Sequence, residues 1–250
     1  MAWGGLLAGL AAAVVGGPAA AQPASLRDHL FGRPDERGFS TPTVARFQPD
    51  DGSPFVLDRS AGREVFMKFE TSPEIWALEP TPGPRGDIIY KNDMGQPMLR
   101  ATRLGGLTLF TPERPDGVAA AFAGQAGFLH PPTIVTPGAL LQVLAQASER
   151  AARAAHHPIS FEVEADDVPL AAVALIADAA IVASEAFVEV AARGDRGRRQ
   201  LDKLSKVRIG AGPKPTVQAS AGSVRVFVDP ELGLAGRPSS LRIAAAIAHR

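Results

Sequence analysis

Between Val44 and Thr111 every apolar run is too short for a helix, and most of the runs alternate. "VARF", "PFVLDRS", "EVFMKFE" and "EIWAL" each have strand length, with turn signals between them at Asp50-Asp51-Gly52, Ser60-Ala61-Gly62 and Thr71-Ser72-Pro73. Val65, Met67 and Phe69 fall on one strand face, and Glu64, Phe66, Lys68 and Glu70 fall on the other. "DIIYK", "PMLRATR" and "LTLFT" continue the series, with Asn92 to Gly95 as a hairpin tip in which Gly95 is free to take positive φ. This pattern predicts an antiparallel β-meander over residues 44–112.

The remainder of the chain has a different period. Residues 113–137 are rich in Pro and Gly and are expected to be a connection. Thr136 is a suitable N-cap and Pro137 a suitable first helical residue for a helix that Pro158 ends. "ISFEVEA" alternates as a strand. A second helix, nearly apolar all round, starts near Asp167 and runs to Arg193. Its carboxylates Asp178, Glu185 and Glu189 share one narrow sector, and their presence argues against a membrane span. "KVRIGAG", "TVQAS" and "SVRVFVD" read as strands and "SSLRIAAAIAHR" as a short capped helix. The fold class is α+β: an antiparallel β-meander, then helix–strand–helix and C-terminal strands. Residues 138–250 form the second part, and the sequence leaves open whether it packs with 44–112 as one domain or stands apart.

The first 21 residues carry no charged side chain, and Leu6 to Val15 form an apolar run ahead of Ala19-Ala20-Ala21. This is the pattern of a signal peptide cleaved after Ala21, although no Lys or Arg precedes the apolar run. An uncleaved N-terminal anchor is the alternative. Residues 22–43 are polar and read as an arm or linker. The Ala-, Gly-, Arg- and Pro-rich usage is that of a GC-rich bacterial genome, so the product is expected in the periplasm or secreted, with no membrane span after cleavage. The absence of cysteine excludes disulfides, thiol catalysis and thiolate zinc sites. Lys plus Arg balance Asp plus Glu at 26 each, and aromatics are few, so nothing marks a nucleic-acid partner.

Charge segregation is the strongest candidate for a functional signal. Seven acids and no base lie between Pro158 and Ala192, whereas seven bases stand against Asp195 and Asp202 between Arg193 and Arg208. The plain reading is a solvated acidic helix edge and a solvated basic loop that pair partly with each other. The functional reading is that Arg196, Arg198, Arg199, Lys203, Lys206 and Arg208 bind an anionic envelope polymer or an envelope protein, with Arg198 and Arg199 as the best single candidates. Glu162, Glu164 and Asp166 share a strand face suited to a hard cation, but without the spacing of a calcium loop. His156 and His157 adjoin, His130 and His249 stand alone, and no zinc-binding spacing occurs. GxSxG, SxxK, SDN and KTG are absent, and "GAGPKPT" lacks the spacing of a phosphate loop. No catalytic residue, metal ligand or cofactor is therefore assigned. Asp87, Asn92, Asp93, Arg100 and Arg103 are explained as strand and turn residues.

"RGDIIYKNDMGQPMLRATRLGGLTLFTPERP", preceded by "FVLDRS" and "SPEIWAL", resembles an uncharacterised family of secreted alphaproteobacterial proteins with a domain of unknown function. The likeness covers roughly 43–230 and implies an exported protein without an assigned activity. Together these features predict a non-enzymatic binding or accessory module of the cell envelope. The alternatives are an envelope hydrolase whose site is assembled from scattered residues, and a subunit of an envelope complex tethered by the 22–43 arm.

Overall fold

The computed structural model describes residues 41–62, 64–130, 136–164 and 168–249, all within a compact unit running from Pro34 to Arg250. The expected leader at 1–21, the expected arm as far as residue 40, and Asp166 and Asp167 lie outside the described residues.

Eight strands form the N-terminal part: β1 (Val44–Pro49), β2 (Phe55–Asp58), β3 (Val65–Phe69), β4 (Trp76–Pro82), β5 (Ile88–Lys91), β6 (Pro97–Ala101), β7 (Leu107–Thr111) and β8 (Arg114–Gln125). Each is antiparallel to the next, and β8 returns to pair with β1, so the meander is a closed barrel. Alternate side chains turn inward and fill it. Phe47 stacks on Phe55 with ring centroids 5.6 Å apart, above a layer containing Leu57, Met67, Tyr90 and Leu99. Eight strands leave an interior that side chains can fill, so most of this barrel is a packed core.

The closing strand corrects the expectation of a connecting loop over 113–137. β8 is 12 residues long and its sequence, "RPDGVAAAFAGQ", does not alternate. Only Ala120 of this strand is buried, and Ala119 and Ala121 face solvent, so alanine serves both faces and the period-2 signal vanishes. Gly117 and Gly124 adopt φ of +82° and +138° near the register shifts against β7 and β1. These bulges bend the strand enough to close the sheet, and glycine takes them without a Cβ penalty.

The second part comprises α1 (Pro137–Ala155), β9 (Ser160–Val163), α2 (Leu170–Ala192), α3 (Asp195–Leu201), β10 (Lys206–Ala211), β11 (Thr216–Ser220), β12 (Ser223–Val228), a 3-10 segment (Pro230–Gly236) and α4 (Ser240–Ala248). Thr136 caps α1 as expected, its hydroxyl accepting from the Ala139 N–H. The sheet order is β11-β12-β10-β9, with β10 parallel to both β9 and β12 and β11 antiparallel to β12. Phe161, Val207, Ile209, Val224 and Val226 turn one sheet face to the helices. The other face carries Glu162, Lys206, Arg208 and Arg225.

α2 is the central element, packed against α1, α3, α4 and β10. It is long and apolar enough to cross a membrane, at mean hydropathy 1.9, yet two-thirds of that apolar stretch is buried inside the fold. Enclosure by neighbours on most sides explains why its sequence is apolar all round. Phe66 and Ile75 project from the outside of the barrel into the same helical core, so the two parts share apolar packing there. Phe66 therefore has a partner on the strand face that Glu64 and Lys68 also occupy.

α3 sits on the last turn of α2 because residue 197 is glycine. A Cβ there would lie 1.8 Å from the Val190 carbonyl oxygen. Gly197→Ala is expected to lower stability by about 1–3 kcal/mol, the usual cost of overpacking. Urea denaturation checks this, and an unchanged midpoint would contradict the placement of α3.

Candidate functional site

Because the barrel is up-and-down, the turns following β1, β3, β5 and β7 gather at one end. Two cavities open there, and Trp76 lines both. The larger, about 520 Å³, is a cup in the mouth of the barrel. Phe69, Trp76, Met98, Leu109 and Val118 form its apolar wall, and Leu241 of α4 covers one side. Its rim is polar. Arg114 pairs with Asp51 across the gap between the β7–β8 and β1–β2 turns, and Thr71 donates to the Ser53 hydroxyl at 3.0 Å.

The second cavity, a cleft of about 380 Å³, runs between the β5–β6 hairpin and the segment leading into α4. Glu64, Glu79, Lys91, Asp93 and Arg242 line it, with Glu74 and Arg237 at its base. The hairpin does more here than turn the chain. Asn92 Oδ1 accepts from the Met94 and Gln96 N–H groups at 3.0 Å each, as a turn residue should. Asp93 Oδ2 instead accepts from the Ser239 N–H at 3.0 Å and faces Arg242 at 3.7 Å, joining the barrel to the start of α4.

Beneath the cleft lies a buried charge node. Arg237, 2% exposed, donates through Nη1 to Glu74 Oε1 at 3.2 Å and the Pro238 carbonyl at 3.1 Å, and through Nη2 to the Ile75 carbonyl at 2.6 Å. Its Nε is 2.5 Å from Asp178 Oδ2. That contact is a buried ion pair. Glu74 Oε1 also accepts from the Ser240 N–H at 3.1 Å, and the Ser240 hydroxyl donates to Glu189 at 2.6 Å. The node thus joins a barrel residue, two residues of α2 and the entry to α4.

Two buried carboxyls, Glu74 and Asp178, face one guanidinium, with the half-buried Glu189 beyond Ser240, so the node favours taking up protons. Burial raises Glu74 to about 7, against the opposing pull of Arg237 and of the Ser240 hydrogen bond. Asp178 and Glu189 are also raised, burial again being the main cause, with Arg237 opposing at the first and Ser240 at the second.

This node corrects the picture of a solvated acidic edge on α2. Asp178 is buried against Arg237, the half-buried Glu189 accepts from the Ser240 hydroxyl, and Glu185 pairs with Arg150 of α1. The single sector those carboxylates occupy is readable from their spacing. Their partners are not, because Arg237 is a lone arginine between glycine and proline. Pairing between acidic and basic blocks does occur on the open sheet face. Lys206 lies 2.9 Å and Arg208 3.9 Å from Glu162, while Glu164 pairs with Arg225. Glu162 and Glu164, the two described carboxylates of the three considered for a cation, therefore already face cationic partners.

The six basic candidates consequently divide. Lys206 and Arg208 belong to the sheet ladder, whereas Arg196, Arg198 and Arg199 are exposed on α3 and Lys203 on the turn after it. His156 takes a left-handed conformation at the end of α1, with φ +61°. His157 meets the carbonyls of Pro158 and Leu201 at 3.2 Å.

A family model described as Domain of unknown function (DUF4908) matches residues 25–247, which is nearly the whole chain. No curated protein and no solved structure matches it.

Proposed function

We propose, starting from the fact that the chain belongs to the DUF4908 family, that it is a non-catalytic binding protein of the cell envelope whose ligand is a small, mainly apolar molecule seated in the barrel mouth. The observation that carries this reading is the cup of about 520 Å³ with an apolar wall and a polar rim. Cavities of that size and lining are typical of small-molecule sites, and barrel mouths are a common place for them. Leu241 and Trp76 supply broad apolar contact, while the Asp51–Arg114 pair offers both a donor and an acceptor to a polar end group. Envelope residence rests on the uncharged N-terminal segment with its small residues before Gln22.

Trp76 provides the test, since the sequence has no other tryptophan beyond Trp3. Titration with the apolar probe 1-anilinonaphthalene-8-sulfonate is expected to quench Trp76 saturably at one site per chain. Val118→Phe would crowd the cup without adding a tryptophan and is expected to weaken that binding at least tenfold. Its thermal midpoint reports whether the fold survives. Recovery of bound medium-chain fatty acids unchanged after incubation checks the absence of turnover. Non-saturable quenching, or identical affinity in a folded Val118→Phe protein, would sink the reading.

A further inference from the structure

A third cavity, a groove of about 430 Å³, lies between the C-terminal ends of α1 and α2. Arg150, Arg153 and His156 of the α1 end and Arg198 of α3 line it, over a floor that includes Val188 and Ala191. Three guanidinium groups from two helices thus converge on one depression, although they are separated in sequence by the whole of β9 and α2.

The arginines differ in how fully the protein satisfies them. Arg150 is paired with Glu185, whose side chain is only 14% exposed, and so is fixed in place. Among the described residues, Arg153 pairs only with Glu149 at 3.9 Å and Arg198 only with Asp195 at 3.5 Å, each a near neighbour on its own helix. Neither contact is a hydrogen bond, and both acids are largely exposed, so these pairings are worth little and leave donor forks free. His156 lines the groove as the left-handed residue that ends α1.

We infer that this groove binds a phosphate group carried on a molecule with a short apolar portion. Planar guanidinium forks match phosphate oxygens in pairs, and two such forks with a fixed third cation provide more than one surface arginine does. The small apolar floor beside them favours an esterified phosphate over the free ion. The site is distinct from the barrel cup and does not depend on it. Of the residues singled out from the basic block, it uses Arg198 alone.

Phenyl phosphate serves as the soluble probe and phosphatidylglycerol vesicles as the membrane probe. The full chain is expected to bind phenyl phosphate saturably in calorimetry, with affinity falling at least tenfold in Arg153→Glu/Arg198→Glu. Arg196→Glu/Arg199→Glu makes the same charge change on residues that do not line the groove and is expected to bind as the wild type does. Circular dichroism melts confirm that both variants are folded. Vesicle co-sedimentation that depends on Arg153 and Arg198 would assign the phosphate to a lipid headgroup. Phenyl phosphate binding without sedimentation would assign it to a soluble ester, and either result upholds the site. Absence of saturable binding to both probes, or equal weakening in the two double variants, overturns it.

Discussion

Arg237→Ala is expected to cost about 3–5 kcal/mol of stability, the range for removing one partner of a buried ion pair. The substitution would leave Glu74 and Asp178 buried without a cation and would strip the Ile75 and Pro238 carbonyls of their donor. Lysine should not rescue it fully, because an ammonium cannot reproduce a fork that reaches two carboxylates and two carbonyls. Urea denaturation at pH 8 and pH 5 supplies the decisive comparison. The loss should be smaller at pH 5, where the stranded carboxyls can take up protons. An equal loss at both pH values would mean that the guanidinium acts only by packing.

Wild-type stability is expected to rise as pH falls from 8 towards 5, and Glu74→Gln is expected to flatten much of that slope. Glu74 is raised to about 7 in the fold, above the ordinary glutamate value. A carboxyl raised in this way contributes stability that is fully present below its unfolded pKa and is lost as pH rises through its folded one. The window therefore runs from about 4.5 to about 7, and this group alone supplies on the order of 3 kcal/mol across it. Asp178 and Glu189 are raised too and act in the same sense. Glu70 and Glu162 act in the opposite sense: Arg46 and Lys206 hold them below their usual range, so their contributions fade only on further acidification. Glutamine at 74 keeps one carbonyl oxygen for Arg237 and the Ser240 N–H but cannot titrate. A Glu74→Gln protein with the wild-type slope would move the buried proton away from Glu74.

Barrel strands are legible in the sequence where one face is buried and the other polar, as in Val65–Phe69. β8 is hidden because Ala119, Ala120 and Ala121 give both faces the same residue. The parallel pairing of β10 with β9 and β12 is hidden for another reason: alternation identifies a strand but says nothing of its neighbour's direction. α2 is legible as a buried helix from its composition. The charge node is half legible, since the carboxylates of α2 announce a common sector while Glu74 and Arg237 come together only in the tertiary fold. Arg198 reads from sequence as an exposed cation, and it is one. In the groove, however, it is joined by Arg150, Arg153 and His156 and not by the bases that come after it in the chain.

Closure by β8 has a kinetic side. Pairings between successive strands are local and can zip one after another, whereas the β1–β8 pairing must bring Gln125 back beside Ala45. Until it does, the sheet carries two raw edges with unpaired backbone donors and acceptors, open to strands of other molecules. The alanine-rich strand with the weakest sequence pattern is therefore the one whose arrival ends the chain's period of greatest vulnerability to aggregation.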